Sequence, residues 1–480
     1  MFSTLVPLNI VLYFVTGFCL VAVSQVFRSK RAEVVLHSLF LICLYSCFAI
    51  ACINLYQATF AIRGFNLLHY YGGFGQGVGI EHSLGAMQAL FAVLVTSCAL
   101  ITGLGHDKDS NANLIFNKSL LLFASGAFVG LAYSNDIFNI YVFIEIASIA
   151  LYSMIAIGGD KKSLQAAFNY LIIGSVASCF IVLGIILIYN FCGSLNISAI
   201  NDRIALSLGG LNGNAVLFCY VIFILAALVK AAIFPFFAFL NEIYLNANKS
   251  QMPFIAGVGS KAGIFLLYVV IYRLFFTSLF DFFQISGLAN GIVCVLSFGV
   301  LFLSIFATFR VQNIKSILTF SSIIYNTCMA IMLCICEKTW LDIVFVTMLC
   351  HGIVICFLFW LLSLSEDCKQ ACLKFNSKVR LRLFLGFVIL LAAIPPSPLF
   401  ATKFILLKML YAKSMYVSFT TILLSSVFSL AYCYKIIKML NHHDTLMVEQ
   451  NNLLEIFVAI FAIILIYCPF IIEGINTVIY

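Results

Sequence analysis

Long apolar segments recur along the chain and constrain its fold more than any other feature. An α-helix that crosses the hydrocarbon core of a bilayer needs about 20 predominantly apolar residues. Segments of that length follow one another with only short polar stretches between them. They predict about fourteen membrane-spanning helices, at residues 5–27, 34–57, 84–105, 113–134, 136–157, 165–191, 213–240, 250–275, 288–308, 315–336, 341–364, 383–406, 415–438 and 453–472.

The composition excludes a water-soluble fold for most of the chain. Hydrophobic residues make up 64% of the 480 residues and charged residues only 9%, whereas soluble domains average roughly 45–50% and about 25%. Lipid must therefore be the solvent for most of this surface. The longest polar stretch, residues 366–382, is predicted to be a loop. We therefore expect an all-α polytopic membrane protein without a soluble domain.

Lysine and arginine are distributed unevenly between the predicted loops. Loops after odd-numbered helices hold 17 of these residues, and loops after even-numbered helices hold 6, with Arg273 counted among the latter. Cytoplasmic loops carry the excess of positive charge in membrane proteins. Both termini are therefore predicted on the non-cytoplasmic side of the cell inner (plasma) membrane. The net charge of +8 has the same origin, and no dense basic patch predicts a nucleic-acid partner.

The cysteines do not form a metal or redox pattern. Most of the 18 lie in apolar segments, where cysteine is a small core residue. Cys368 and Cys372 lie four apart in a polar loop with no histidine nearby, so zinc is not expected. Iron–sulfur spacings, haem attachment motifs and nucleotide fingerprints do not occur. The sequence therefore predicts no cofactor, no metal and no redox centre of its own.

Glu145, Lys230, Lys261 and Lys403 lie within predicted spans, and Glu145 is the clearest buried acid. It follows Asp136 by nine residues, which at about 1.5 Å per residue is roughly 13–14 Å, near the middle of the hydrocarbon core. A charge there costs about 2.5 kcal/mol or more. Burial and pairing shift the pKa values of lysines and carboxylates in opposite directions, so a pair whose separation changes can move protons. The alternative is a structural ion pair that locks helices together.

Two of these lysines lie beside prolines. Pro235 follows Lys230 by five residues, and Pro395 and Pro396 precede Lys403. Proline frees backbone carbonyls, which membranes tolerate only where protein or water satisfies them. Interrupted helices in two halves of a chain indicate a transporter built from repeats, although a single proline is usually only a kink.

Seven segments around these residues occur in a distinctive order. They are Asp136–Glu145, Gly158–Tyr170, Gly193–Asn196, Val229–Pro235, Ala256–Lys261, Asn313–Ser322 and Ile394–Lys403. In this order they resemble the antiporter-like, proton-translocating membrane subunits of respiratory complex I and of Mrp-type multisubunit cation/proton antiporters. The resemblance covers roughly residues 110–410, and the glutamate segment is most similar to the D-type member of the Mrp antiporters.

The resemblance implies a fourteen-helix fold with two inverted five-helix repeats and two broken helices. It divides the chain into peripheral transmembrane helices (1–110), a first inverted repeat with the Glu/Lys half-channel (111–285), a second inverted repeat (286–440) and a C-terminal transmembrane helix (441–480). This count agrees with the apolar segments.

The resemblance also implies roles for individual residues. Glu145 and Lys230 would form the coupled pair of the first half-channel. Lys261 would be the central relay, and Lys403 the exit-side lysine of the second half-channel. His351 lies about ten residues into its span. It is either a further relay group, since histidine titrates near neutral pH, or a hydrogen-bonding residue between helices.

The sequence departs from the family pattern at several positions. Many relatives carry a lysine four residues after the histidine, where this chain has Ile355, and a glycine after the double proline, where it has Leu399. Residues 248–250 replace a Pro-Ser-Pro, and Phe237 replaces a histidine. These differences leave open a scaffold subunit that keeps the fold without conduction.

Four functions therefore remain open. The first is a proton/cation-translocating subunit of a multisubunit monovalent cation (Na⁺)/H⁺ antiporter, with other subunits of a membrane hetero-oligomer, the bilayer, protons and monovalent cations as partners. The second is a proton-pumping subunit of an NADH:quinone oxidoreductase or a related membrane hydrogenase. The third is the degenerate scaffold subunit. The fourth, a membrane lipid or sugar transferase, would need clustered Asp, His or Arg at the membrane surface, and the sequence has no such cluster.

Overall fold

Helices make up most of the structure, a computed structural model. It describes residues 5–26, 30–61, 67–71, 79–105, 112–207, 213–275, 288–335, 340–368, 372–374, 377–441 and 453–479. Within these residues, 11 helices are long and apolar enough to cross a membrane. A helix satisfies its backbone N–H and C=O groups internally, as lipid requires. The prediction of an all-α polytopic membrane protein is confirmed, whereas the count of fourteen spans stays a prediction.

The chain forms two compact units, and the first comprises Met1–Ala231, Asn246–Gln251 and Gly259–Leu288. Its main elements are α1 (Leu5–Val26), α2 (Lys30–Tyr56), β1 (Leu67–Tyr70), β2 (Glu81–Leu84), α3 (Ala86–Leu104), α4 (Ala112–Tyr133), α5 (Ile137–Ala156), α6 (Lys161–Cys192), α7 (Ile197–Ser207) and α8 (Gly213–Lys230). Strands β1 and β2 pair antiparallel. Helices α3 and α4 are largely buried and form the core of this unit.

The second unit comprises Ala232–Leu245, Met252–Val258 and Ala289–Tyr480. The remaining elements are α9 (Ala238–Asn246), α10 (Met252–Leu274), α11 (Leu288–Phe309), α12 (Ile314–Ile335), α13 (Leu341–Ser363), β3 (Glu366–Cys368), β4 (Cys372–Lys374), α14 (Lys378–Leu391), α15 (Pro398–Ala412), α16 (Tyr416–Asn441) and α17 (Leu453–Ile479). The division between the units falls within α10, after Val258. Helices α12 and α13 form the buried core of the second unit.

Several segments that were predicted as loops contain regular structure. Residues 366–382 hold the antiparallel hairpin β3–β4 and the first turn of α14. The hairpin β1–β2 and the short helix α7 also lie outside the predicted spans. The predicted spans 213–240 and 383–406 are each divided between two helices, because a proline break interrupts both.

Candidate functional site

Glu145 lies near the middle of α5, and its carboxylate meets α6. The helix begins directly after Asp136, whose side chain accepts a hydrogen bond from the Asn139 amide at 2.8 Å and caps the helix. Ser178 of α6 donates a hydrogen bond to the Glu145 carboxylate. The Glu145 side chain nevertheless remains 29% exposed. Glu81 of β2, by comparison, is only 1% exposed.

The Lys230 ammonium, at the last residue of α8, lies beside two side chains of α5. Its Nζ atom is 3.7 Å from Glu145 Oε1 and donates a hydrogen bond to Ser148 Oγ at 3.0 Å. Residues 145 and 148 are three apart and therefore share one side of α5. Because the Lys230–Glu145 distance exceeds the roughly 2.7–2.9 Å of a charge-assisted hydrogen bond, Ser148 is the closer partner of Lys230.

The chain leaves the helical path immediately after Lys230. Ala232 has a φ angle of +50°, a left-handed conformation that residues other than glycine rarely adopt. The Phe234–Pro235 peptide bond is cis, and the Phe236 amide donates to the Ile233 carbonyl at 2.6 Å. Helix α9 then begins at Ala238. Lys230 therefore ends a helix at a turn within the apolar region.

A small cavity with a volume of about 20 Å³ borders Lys230. Ser148 of α5 and the glycines Gly259 and Gly263 of α10 also line it. A polar cavity holds a water molecule once it exceeds roughly 10–15 Å³. The Lys230 ammonium therefore has space for about one water beside Ser148.

Lys261 is fully buried in the middle of α10. A π-helical turn over Ile255–Gly259 lies immediately N-terminal to the α-helical segment that contains Lys261. Such turns are rare and occur frequently at functional sites. Gly259 and Gly263, on either side of Lys261 in the sequence, border the cavity beside Lys230. The Lys261 helix therefore forms part of the surroundings of Lys230.

In the second unit, Tyr325 of α12 contacts both remaining relay candidates. The Lys403 ammonium of α15 lies 4.8 Å from the centre of the Tyr325 ring and donates to Ser429 Oγ at 3.4 Å. The His351 ring of α13 stacks on Tyr325 with 4.3 Å between ring centres. Both His351 and Lys403 are buried. The structure thus brings His351 and Lys403 to the same tyrosine, which the sequence had not singled out among 21 tyrosines.

The Tyr325 hydroxyl also connects this cluster to the second helix break. It donates a hydrogen bond at 3.2 Å to the carbonyl of Leu391, the last residue of α14. Helix ends leave carbonyl groups without intrahelical partners. Tyr325 therefore satisfies one of the carbonyls that the break exposes inside the apolar region.

The second break has the same backbone geometry as the first. Ala393 has a φ angle of +55°, and the Pro395–Pro396 bond is cis. The Ser397 amide donates to the Ile394 carbonyl at 2.8 Å. The Ser397 side chain then caps α15, which begins with a proline. A left-handed alanine, a cis proline and a four-residue turn closed by an i+3→i hydrogen bond therefore occur at both breaks.

The two breaks also share a sequence that was not predicted to matter. Residues 231–235 and 392–396 both read Ala-Ala-Ile-X-Pro. In this alignment Leu391 occupies the position of Lys230. This shared motif could have indicated from the sequence that the two helix breaks have the same backbone conformation.

A buried polar cluster beside the start of α5 was also missed. Glu81 of β2 accepts hydrogen bonds from the Asn135 and Asn196 side-chain amides at 2.8 and 3.0 Å. Arg273 donates to the Asn135 side-chain oxygen and, at 3.0 Å, to the Ser134 carbonyl. Arg273 therefore belongs to the final turn of α10, and counting it as a loop residue was wrong. Its partners come from separate segments, so only the tertiary structure reveals the cluster.

The fold and these charged groups define a polytopic helical membrane protein with two broken helices. The family described as NADH:quinone oxidoreductase/Mrp antiporter, TM, matches residues 134–429. The chain therefore belongs to this family, which confirms the resemblance found in its motifs.

Two curated relatives represent the two branches of the family. NADH-quinone oxidoreductase subunit N of Desulforudis audaxviator is 37% identical over 155 residues, which are 32% of this chain and 30% of the relative. The putative antiporter subunit mnhD2 of Staphylococcus haemolyticus is 28% identical over 258 residues, 53% of this chain and 49% of the relative. The chain thus spans between about a third and a half of the length of these relatives.

Three solved structures share the fold over nearly the whole chain. An archaeal respiratory membrane complex, the membrane-bound sulfane sulfur reductase, has a chain with a TM-score of 0.85 and 20% identity, covering 99% of this chain and 96% of that one. A chain of the Mrp complex of Dietzia sp. DQ12-45-1b has a TM-score of 0.80 and 17% identity, and the match covers 98% of this chain and 95% of that one. A chain of respiratory complex I of Thermus thermophilus has a TM-score of 0.73 and 17% identity, and the match covers 96% of each chain. All three are subunits of multisubunit membrane complexes.

Proposed function

We propose that this chain is a proton/cation-translocating subunit of a multisubunit monovalent cation (Na⁺)/H⁺ antiporter. The observation that carries the proposal is the 3.7 Å ion pair between Glu145 and Lys230, at the end of a broken helix. Each partner also has a serine, Ser178 or Ser148, as a hydrogen-bond partner. Both charges therefore keep a polar contact when they move apart, as a group that passes protons in an apolar setting requires.

Proton movement would follow from changes in this separation. When the charges are close, each stabilises the ionised form of the other. When they separate, transfer of a proton removes two isolated charges from the membrane. Lys261 would continue the path as central relay, and Lys403 would serve the exit side, with His351 and Tyr325 beside it. Breaks at Pro235, Pro395 and Pro396 would supply the local mobility.

The exposure of Glu145 supports a hetero-oligomeric partner. A carboxylate with 29% of its side chain exposed would face lipid if the chain were alone, which is costly in the hydrocarbon region. A neighbouring subunit in the inner (plasma) membrane would cover it. Gene duplication with inverted repeats over residues 111–285 and 286–440 would account for the two breaks of one geometry.

A second candidate is the proton-pumping subunit of an NADH:quinone oxidoreductase or related membrane complex. The observations that favour it are the 37% identity to a subunit N and the TM-score of 0.85 with a respiratory complex. Both candidates use the same buried charges and differ in what drives them. A scaffold subunit is the third, because Ile355 is fully buried where many relatives carry a lysine.

The experiment that tests these candidates measures proton movement in everted vesicles that express the genes of the whole complex. The chain would be wild type, Lys230→Ala, Glu145→Gln, or Lys162→Ala, which removes an exposed lysine at the start of α6 as a matched control. Sodium-driven proton movement should be lost in the Lys230 and Glu145 variants and kept in the control, with equal amounts of assembled chain in all membranes.

The alternatives predict different outcomes. Equal sodium-dependent signals from all four proteins would indicate a scaffold. Acidification driven by NADH without a response to sodium would favour the oxidoreductase. A fall in protein level, in place of a fall in transport per assembled chain, would make Glu145–Lys230 a structural pair.

A further inference from the structure

Lys403 is buried in the second unit, yet no carboxylate among the described residues forms an ion pair with it. Helices α12, α14, α15 and α16 contain no acidic residue. The acid of α13, Asp342, precedes His351 by nine residues, about 13–14 Å along the helix. Glu455 of α17 is paired with Arg380. A charged lysine at position 403 therefore needs another source of stabilisation in the apolar region.

The π face of the Tyr325 ring supplies this stabilisation. The Lys403 ammonium lies over the ring, 4.8 Å from its centre, within the roughly 6 Å over which an aromatic face attracts a cation. Its hydrogen bond to Ser429, at 3.4 Å, is longer than an ordinary N–H···O bond of about 2.7–3.2 Å. Cys328 and Cys433 also interact with the lysine, but thiols are largely uncharged near neutral pH. The ring is therefore the main partner of the Lys403 charge.

Two further contacts hold the Tyr325 ring in place. The His351 ring stacks on it with 4.3 Å between ring centres, and the Tyr325 hydroxyl donates to the Leu391 carbonyl at 3.2 Å. These contacts come from α13 and α14, whereas Tyr325 belongs to α12 and Lys403 to α15. Three helices thus fix the ring against the lysine of a fourth helix.

We propose that Tyr325 is a positioning residue of the second half-channel, whose π face takes the place of a carboxylate and holds the Lys403 ammonium in the path. This inference rests on the proposed function, in which Lys403 serves the exit side. A carboxylate attracts an ammonium and can also take its proton, whereas a π face attracts the ammonium and cannot take the proton. The ring therefore holds the charge while the proton stays with the lysine.

A thermal-melting cycle on the purified complex tests the contact between Tyr325 and Lys403. Fluorine withdraws electron density from an aromatic face, so phenylalanine and its monofluoro, difluoro and pentafluoro derivatives at position 325 attract a cation progressively less at nearly equal shape. Stepwise fluorination should lower the melting temperature relative to the same series in Lys403→Met, which removes the charge and keeps a long side chain. Equal effects in the two backgrounds would overturn the contact.

Proton movement in everted vesicles that express the genes of the whole complex tests the role of the ring. Tyr325→Phe keeps the ring and should give about tenfold more transport per assembled chain than Tyr325→Leu. Fluorination of the phenylalanine at this position should then lower transport stepwise, by about tenfold in total, since it weakens the attraction for the ammonium.

The same fluorinated series at Tyr133 of α4 is the matched control. Tyr133 is also fully buried, and its hydroxyl accepts a hydrogen bond from Asn54 at 3.2 Å. Within the described part of the chain, no cation lies over its ring. A buried ring without a cation should be insensitive to fluorination, so transport should change by less than about twofold.

The results separate this inference from the proposed function. If fluorination at position 325 leaves transport unchanged while Lys230→Ala abolishes it, the ring has a structural role only, and the proposed function stands without the positioning role. If the assembled wild type moves no protons under any driving force, the proposed function fails and the positioning role fails with it.

Discussion

Glu145 and Lys230 differ from a locked ion pair in how their contacts are shared. Their charged atoms are 3.7 Å apart, whereas Lys230 and Ser148 lie 3.0 Å apart. A structural pair gains most when it is short and fully hydrogen-bonded, because only then does attraction offset desolvation. The looser geometry supports a role in which the two charges change partners. Removing either partner should therefore affect transport more than folding.

The polar cluster at the start of α5 makes a different prediction at the residue scale, through His82 of β2. Burial lowers the pKa of His82 to about 3, whereas an unfolded histidine has a pKa near 6.5. The neutral ring accepts a hydrogen bond from Asn139 at 3.3 Å and lies 3.1 Å from the Tyr71 hydroxyl. The stability from neutral His82 is thus complete above about pH 6.5 and is lost as the pH falls towards 3.

Between pH 7 and pH 5 the free energy of unfolding of the wild type should consequently fall by about 2 kcal/mol through this residue. The melting temperature should fall over the same pH range. His82→Gln, which cannot be protonated, should remove most of that fall. An identical decrease in both proteins would assign the acid sensitivity to other groups.

Candidate site residues could be predicted from the sequence where a charged side chain lies inside an apolar segment. Lys261 and Lys403 were recognised in this way, and both are buried. Glu81 and Arg273 were not, because each lies near the end of an apolar segment and only the fold brings them to Asn135. Tyr325 could not be predicted either, because nothing in the sequence distinguishes it from the other tyrosines in apolar segments.

At the scale of elements, α10 packs against the end of α8 through a glycine. A Cβ atom at Gly263 would lie 2.2 Å from the Ala231 backbone nitrogen and 2.5 Å from the Lys230 carbonyl carbon. These are backbone atoms, so they cannot move aside as a flexible side chain would. The position of the Lys230 break therefore depends on the absence of a side chain at residue 263.

Gly263→Ala should destabilise the chain by about 1–3 kcal/mol, the usual effect of overpacking, and should reduce transport per assembled chain. Gly386→Ala in α14 is the control, because a Cβ atom there has nothing within 4 Å. It should be neutral or stabilising by up to about 1 kcal/mol, since alanine favours helix over glycine. Melting temperatures of both variants in the same detergent test this, and equal values would contradict it.

The lengths of the apolar segments predicted where the helices lie, but the sequence did not predict where the broken helices end. The prediction of a span at 136–157 agrees with α5 almost residue for residue, because the Asp136 cap ends the link to α4. Pro235 marked the first break, yet the helix already ends at Lys230, where the left-handed Ala232 follows. A proline shows that a helix is interrupted, whereas the length of the gap depends on the turn that precedes it.

At the scale of the whole molecule, the chain consists of two units, and each contains buried charged residues of the candidate site. The first contains the Glu145–Lys230 pair and the second contains Lys403, His351 and the two Ala-Ala-Ile-X-Pro turns from the left-handed alanine onwards. The predicted division at residues 110, 285 and 440 remains a prediction. The sequence predicts the order of these elements along the chain. It does not predict which of them pack into the same unit, because that depends on contacts between distant residues.

The positive-inside rule predicts the orientation of the whole chain. Alkaline phosphatase fused after Tyr480 should be active, and green fluorescent protein at the same position should be dark. A fusion truncated in the loop at residues 158–162, which contains Lys161 and Lys162 and is predicted to be cytoplasmic, should give the opposite result. Fluorescence from the C-terminal fusion would reverse the predicted topology.

The partial exposure of Glu145 has a consequence for the life of the chain in a cell. If a neighbouring subunit covers Glu145, as proposed, a newly inserted copy without that neighbour would leave this carboxylate partly exposed and would be a substrate for membrane quality control. Its steady-state abundance would then be set by the supply of whichever neighbour covers that helix. Loss of one gene elsewhere in the same assembly would lower the level of this protein without any change in its own transcription.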